Sequence, residues 1–183
     1  VIKGEKPNRI VDIIRQMADS MTTNIAYHSN DPNVGLALTL DIERYKMYVC
    51  DTGLFVTLAF MDKDFTENSI YTKLLSDKLS TNLGYVYENV IAQMLKANGK
   101  ELYYHTIPYH KGKKFYEVDF VLADQFKISP IEVKSSGYKT HASLDAFCNK
   151  YSDRIQNRYL IYTKDLQKEQ QLLFVPIYMT MFL

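Results

Sequence analysis

Two neighbouring apolar segments of the chain carry charged residues at alternate positions. The segment KFYEVDFVLA contains Glu117 and Asp119, and the segment ISPIEVKSS contains Glu132 and Lys134. Both segments are predicted strands, in which alternate residues share a face. If the two strands are neighbours, Asp119, Glu132 and Lys134 converge on one patch, and we expect Glu117 beside that patch or at the surface.

The predicted patch has the chemistry of a divalent-cation site. Two carboxylates that lie close together resist ionising at the same time, and a cation removes that conflict. Because Mg²⁺ prefers oxygen ligands and often takes only one or two carboxylates, we predict that Asp119, Glu132 and the backbone carbonyl of Val133 hold Mg²⁺ or Mn²⁺. The metal would activate water and neutralise a phosphoryl oxygen, and Lys134 would orient the water or stabilise an oxyanion.

The elements around these residues predict an α/β domain with a mixed sheet flanked by helices. From residue 80 the order is helix, strand, strand, strand, helix, strand, with the strands at 101–107, 114–123 and 128–136 before the second helix. On the middle strand Val118 and Phe120 are expected to share one face, opposite Asp119.

The N-terminal part of the chain is predicted to be a separate small segment. Apolar residues at helical spacing predict a helix over 8–20, and the turn-forming residues HSNDPNVG follow it. We therefore divide the chain into 1–40, a helix and loop, and 41–183, the α/β domain. A strand in RYKMYVC and a short helix in DTGLFVTLAF open the second part. Since the sequence begins with Val, we expect it to be a fragment of a longer protein.

Composition excludes several classes of function. The 183 residues carry a net charge of +1, so no global basic field attracts nucleic acid, and any such binding needs a local patch. The two cysteines, Cys50 and Cys148, are far apart and form neither a disulfide framework nor a zinc cluster. This use of cysteine fits a reducing, cytoplasmic location. No apolar run reaches 18 residues, so no membrane span is expected.

The charged residues resemble the signature of the PD-(D/E)xK nuclease superfamily. The letters VD, and further on EVK, are similar to its motif, although Val118 stands where the motif has Pro. Members often carry a further acid on the preceding helix, and Glu88 in GYVYENVIAQML occupies that place. The resemblance implies a restriction-endonuclease-like core in which Asp119, Glu132, Lys134 and Glu88 are catalytic.

A second resemblance covers nearly the whole chain. The segments YKMYVCDTGLF, NLGYVYENVIAQML, RYLIYTKDL and VPIYMTMFL look like the C-terminal domain of a family of prokaryotic AAA+ ATPases, a domain of uncharacterised function. In such proteins a P-loop ATPase module and a winged-helix segment come first, and residues 1–40 would be a remnant of the latter. This chain has no GxxxxGK[ST] motif, so no ATP site is expected within it.

These patterns leave three hypotheses open. The first is a Mg²⁺-dependent nuclease that acts on a nucleic-acid phosphodiester. The second is a non-catalytic module that recognises DNA or a protein partner and couples this to the ATPase module of the same full-length protein. The third is an oligomerisation domain in which the acids are a relic.

Overall fold

The computed structural model describes residues 7–60, 84–109 and 114–183. Its helices are α1 Pro7–Asp19, α2 Thr52–Phe60, α3 Gly84–Ala97 and α4 Ala142–Lys150, with short 3-10 turns at Leu36–Thr39, Ser152–Arg154 and Ile177–Phe182. The helix predicted over 8–20 is confirmed by α1. The mixed, polar sequence of residues 62–77 predicts a loop followed by a helix, and these residues lie outside the described part of the chain.

The strands form two mixed sheets. Four strands lie side by side in the order β2-β1-β3-β4, and five lie in the order β5-β6-β7-β9-β8. The strands of the first sheet are β1 Thr23–Ser29, β2 Leu40–Val49, β3 Leu102–Pro108 and β4 Phe115–Val118. Those of the second are β5 Phe120–Ala123, β6 Ile128–Val133, β7 Arg158–Tyr162, β8 Gln167–Glu169 and β9 Leu172–Pro176. The predicted mixed α/β architecture is confirmed.

Strand β1 was not predicted, and it ties the N-terminal part of the chain into the first sheet. It pairs antiparallel with β2 and parallel with β3, so it has hydrogen-bonded neighbours on both sides. Its sequence, TNIAYHS, is too polar to stand out as a buried strand. Residues before position 40 therefore share a sheet with residues after it.

The strand predicted over 114–123 is interrupted at Asp119. Residues before it pair with β3 in the first sheet, whereas residues after it pair with β6 in the second. As a result Val118 and Phe120 do not share one face of a single strand, which corrects the sequence prediction. Val118 packs with Val121 in one apolar cluster, and Phe120 packs with Leu122 in another. The chain changes sheets at the acid of interest.

The main core lies where α3 packs on both sheets. Three residues of its inner face, Ile91, Ala92 and Leu95, are fully buried. They belong to one cluster with residues of both sheets: Ala26, Tyr48, Leu102, Tyr104, Phe120, Leu122, Ile131, Ile161 and Val175. Helix α4 is anchored by Phe147 and Leu144, and Cys148 is buried on the same helix. Each fully buried aliphatic or aromatic side chain contributes about 1.5–3 kcal/mol, so this packing fixes α3 and α4 relative to the strands.

Hydrogen bonds from one polar side chain fix the position of α3 relative to the first sheet. The buried side chain of Asn89 accepts a hydrogen bond from the Val49 N–H (2.8 Å) and donates to the Val49 carbonyl (2.9 Å) and to Thr52 Oγ1 (2.9 Å). The end of β2 and the start of α2 are thereby joined to the middle of α3.

In the described part of the chain, no helix has the length and apolar character that crossing a membrane requires.

Candidate active site

Asp119 lies at the junction of the two sheets, opposite Glu132. Strand β5 pairs antiparallel with β6 so that Phe120 faces Ile131, and continuing this register by one position sets Asp119 against Glu132. The ladder ends there, because the side chain of Asp119 takes the place of a backbone partner. Its Oδ2 accepts a hydrogen bond from the Val133 N–H at 2.8 Å. Asp119 is thus held by the residue that stands between Glu132 and Lys134.

Glu132 and Lys134 form the pair that the alternation of β6 predicted. Lys134 Nζ lies 2.7 Å from Glu132 Oε1. The other oxygen, Oε2, accepts a hydrogen bond at 2.9 Å from the N–H of Leu144, in the first turn of α4. A carboxylate in this position satisfies a free N–H of the helix and interacts favourably with its dipole. Glu132 is only 3% exposed, so it also has a structural task.

Sequence reasoning missed a lysine among the acids. Lys46 Nζ on β2 lies 2.6 Å from Glu117 Oε1, 3.5 Å from Glu88 Oε2 and 3.6 Å from Asp119 Oδ1. Three carboxylates from α3, β4 and the sheet junction therefore surround one ammonium group. We call Lys46, Glu88, Glu117 and Asp119 the acid cluster. The available signal was the inward face of RYKMYVC, where Lys46 stands two residues before the buried Tyr48.

Glu88 lies in the acid cluster, as its place on the helix predicted, and it has a second partner. Tyr48 donates a hydrogen bond from its hydroxyl to Glu88 Oε2 at 3.3 Å. Lys46, Tyr48, Glu88 and Glu117 line a cleft of about 440 Å³ together with Gly84 and Tyr85. Lys46, Glu88 and Glu117 are therefore reachable from solvent through this cleft, whereas Asp119 lies behind them and does not line it.

Burial and neighbouring charges shift the pKa values of Asp119 and Lys46 in the acid cluster. Burial raises the pKa of Asp119 to about 7; Glu88 and Glu132 add to the rise, while Lys46 and the Val133 N–H oppose it. Burial works against the charge on Lys46, but its negatively charged surroundings outweigh that effect and raise its pKa above the ordinary value. At neutral pH the cluster therefore holds a permanent ammonium beside a carboxyl group that is poised to lose its proton.

Burial also holds Tyr48 in its protonated form. It raises the pKa of the Tyr48 hydroxyl well above the ordinary value. Tyr48 consequently acts as a hydrogen-bond donor to Glu88 and not as a base.

The carboxylate oxygens of Asp119 and Glu132 are the kind of ligand that a divalent cation such as Mg²⁺ prefers. No group of three or more His, Cys, Asp or Glu side chains is placed to hold a metal within residues 7–60, 84–109 and 114–183. The predicted ligand set has two carboxylates, Asp119 and Glu132, and Mg²⁺ commonly takes no more than that. The four oxygens already have partners in Lys46, Lys134 and two backbone N–H groups, so a metal would share or displace them. The carbonyl of Val133 stays a predicted ligand.

Comparison with known proteins gives one match. The family model described as "Domain of unknown function (DUF4143)" matches residues 83–180, which is more than half of the chain. This family is known as a C-terminal domain in AAA-ATPase-associated proteins. No curated protein and no solved structure shows a significant match. The matched region contains α3, the sheet junction at Asp119 and the Glu132–Lys134 pair, whereas Lys46 lies outside it.

Proposed function

The chain belongs to the family described as domain of unknown function (DUF4143), and for this member we propose a metal-dependent nuclease with a PD-(D/E)xK-like core. It acts on a nucleic-acid phosphodiester and works as a C-terminal domain beside an AAA+ ATPase module of the same full-length protein. Asp119 and Glu132 hold Mg²⁺ or Mn²⁺ with the Val133 carbonyl. Lys134 positions the attacking water, and Glu88 assists from α3.

The observation that carries this proposal is the pairing at the sheet junction. The register of β5 and β6 sets Asp119 opposite Glu132, and Lys134 follows on the same face as Glu132. Two carboxylates and a lysine that the sequence separates are thereby adjacent. When bound, the metal would supply an activated water and neutralise charge on the phosphoryl group. The Lys134 ammonium, which lies beside Glu132, would donate a hydrogen bond to that water or to the developing oxyanion.

A second observation supports a different function, the non-catalytic recognition module. Lys46 is already paired with Glu117, Glu88 and Asp119, and Glu132 is engaged by Lys134 and the first turn of α4. Carboxyl groups that have partners within the protein do not require a metal as their only counter-charge. In this reading the domain recognises DNA or a protein partner and transmits binding to the ATPase module.

The experiment that separates these functions measures metal binding and cleavage on the same sample. Mn²⁺ is titrated by calorimetry, and nicking of a supercoiled plasmid is followed with Mn²⁺ or Mg²⁺. The test variant is Asp119→Asn, which removes the charge and keeps an oxygen for the Val133 N–H. The matched control is Glu101→Gln, an exposed carboxylate paired with Lys96. Circular dichroism shows whether each variant is folded.

The nuclease proposal expects Mn²⁺ binding and nicking in the wild type and in Glu101→Gln, and loss of both in Asp119→Asn. A folded wild type that neither binds Mn²⁺ nor nicks DNA would overturn it and leave the recognition module. Nicking that persists in Asp119→Asn would place the activity at another site or in a contaminant.

A further inference from the structure

We propose that a basic cleft at the opposite end of the second sheet binds single-stranded nucleic acid. The cleft has a volume of about 470 Å³ and is lined by Lys127, Arg158 and Lys168 together with uncharged residues, among them Gln156 and Asn157. This proposal goes beyond the proposed function because it concerns another surface and requires neither metal nor cleavage.

The three cations of the basic cleft converge from separate strands. Lys127 precedes β6, Arg158 begins β7 and Lys168 lies on β8. Strands β6, β7 and β9 are parallel, and β8 pairs with the start of β9, so the three cations lie toward the end of the sheet away from Val133. Along the strand direction, at about 3.3 Å per residue, Lys127 is about 23 Å from Lys134, whereas Arg158, which is level with Pro130, is about 13 Å from it. The basic cleft is therefore separate from the acid cluster.

The three cations of the basic cleft are not held in ion pairs. Among the ion pairs between described residues, none involves Lys127, Arg158 or Lys168. The residues that line the basic cleft include no carboxylate. Arg158 also lines a neighbouring cleft that contains Asp145 and Glu169, so Lys127 and Lys168 are the cations that face the basic cleft without a carboxylate in a shared lining. Like charges repel when they share a concave surface, so an anionic ligand lowers the free energy of this arrangement. In a chain of net charge +1, this is the kind of local patch that nucleic-acid binding needs.

An exposed aromatic ring beside the cations favours nucleic acid over other anionic ligands, because it can stack on a base. Phe126 is 85% exposed in the turn between β5 and β6, which is closed by the Asp124 N–H bonded to the Lys127 carbonyl at 2.8 Å. It lines a second cleft of about 310 Å³ that shares Gln156 and Asn157 with the basic cleft. A surface that binds single-stranded nucleic acid combines three features. An aromatic ring stacks on a base, cations contact the phosphates, and amide side chains contact the base edges.

Asp124 is the carboxylate that lines this second cleft, and it is already engaged. It accepts a hydrogen bond from the Ser129 hydroxyl. The carboxylate keeps its charge, but among the ion pairs between described residues none joins it to Lys127.

The test is fluorescence anisotropy with a labelled oligothymidylate in the presence of EDTA. Three phosphate contacts give a slope of about −2 in log K against log salt, so binding should weaken roughly 20-fold between 50 and 200 mM salt. Lys168→Ala should reduce the slope by about 0.7. Phe126→Ala should weaken binding by roughly 5-fold or more and leave the slope unchanged. The matched controls are Lys100→Ala and Phe182→Ala, neither of which lines the cleft.

Several outcomes would overturn the proposal. One is a folded wild type that binds no oligonucleotide at 50 mM salt, and another is binding that Lys168→Ala and Phe126→Ala weaken no more than the controls do. Equal binding of poly-glutamate would identify an acidic-peptide surface instead. Because this binding is measured in EDTA, where the proposed nuclease has no metal, its failure is distinguishable from failure of the Mn²⁺ titration and the nicking assay.

Discussion

Acid should destabilise this protein through His105, which is buried in its neutral form. The imidazole is 3% exposed and lies between two polar partners: Nδ1 is 2.7 Å from the Ser29 carbonyl, and Nε2 is 3.1 Å from the Tyr151 hydroxyl. The carbonyl can only accept, so Nδ1 carries the proton and Nε2 accepts from Tyr151. A second proton on the ring would face a hydroxyl already oriented as a donor.

The size of the effect follows from the shift in pKa. Burial lowers the pKa of His105 from 6.5 to about 4, and His28, Lys150 and Arg44 also lower it, against the raising effect of the Ser29 carbonyl. Because the folded pKa lies below the unfolded one, the unfolded chain binds the proton more strongly, and stability falls as pH drops below 6.5. With these values the loss is about 2 kcal/mol at pH 5 and about 3 kcal/mol at pH 4.

The assay is urea unfolding, followed by far-ultraviolet circular dichroism from pH 8 to pH 4.5, on the wild type and on His105→Gln. The difference between the two proteins is the required quantity, because other groups titrate in the same range. Asp119 acts in the opposite direction: its folded pKa is raised to about 7, so the folded state gains protons and stability as pH falls. The free energy of unfolding of the wild type, relative to that of His105→Gln, should fall by about 2 kcal/mol between pH 8 and pH 5.

Two results would refute this reasoning. One is a parallel pH dependence in wild type and His105→Gln. The other is a direct measurement by nuclear magnetic resonance that the His105 ring titrates in the folded protein near its ordinary pKa. Either result would mean that the charged ring is accommodated between Ser29 and Tyr151.

Three further changes test other contacts. Lys46→Met should lower the free energy of unfolding by about 3–5 kcal/mol at pH 7, because the acid cluster loses its counter-charge; an equally large loss at pH 5, which is below the raised pKa of about 7 of Asp119, would contradict this. Asn89→Ala should cost about 2–3 kcal/mol in urea unfolding, since the N–H and carbonyl of Val49 lose their buried partner; a loss below about 0.5 kcal/mol would mean that water replaces the amide. Asp31→Asn removes an ion pair with Arg154 at the surface and should cost less than about 1 kcal/mol, and a larger loss in the same assay would show that the pair is more than a surface contact.

The sequence predicted those features of the site that depend on local periodicity. Glu132 and Lys134 are two residues apart on a strand, so they share a face whatever the strand pairs with, and the structure joins them at 2.7 Å. The helix that carries Glu88 is amphipathic over enough residues to be read without tertiary information. The mixed α/β class followed from the alternation of such segments.

Only the tertiary structure decided where the acids lie relative to one another. The break at Asp119 results from β4 and β5 pairing with different partners, and no local pattern in KFYEVDFVLA records this. Lys46 reaches the acid cluster because β1, an unpredicted strand, joins β2 to β3 and so brings β2 beside the junction. Side-chain alternation is a property of one strand, whereas the neighbours of a charge are set by pairings between residues far apart in the chain. For that reason the sequence determined which residues carry charge on a shared face, and the fold determined that a lysine lies among them.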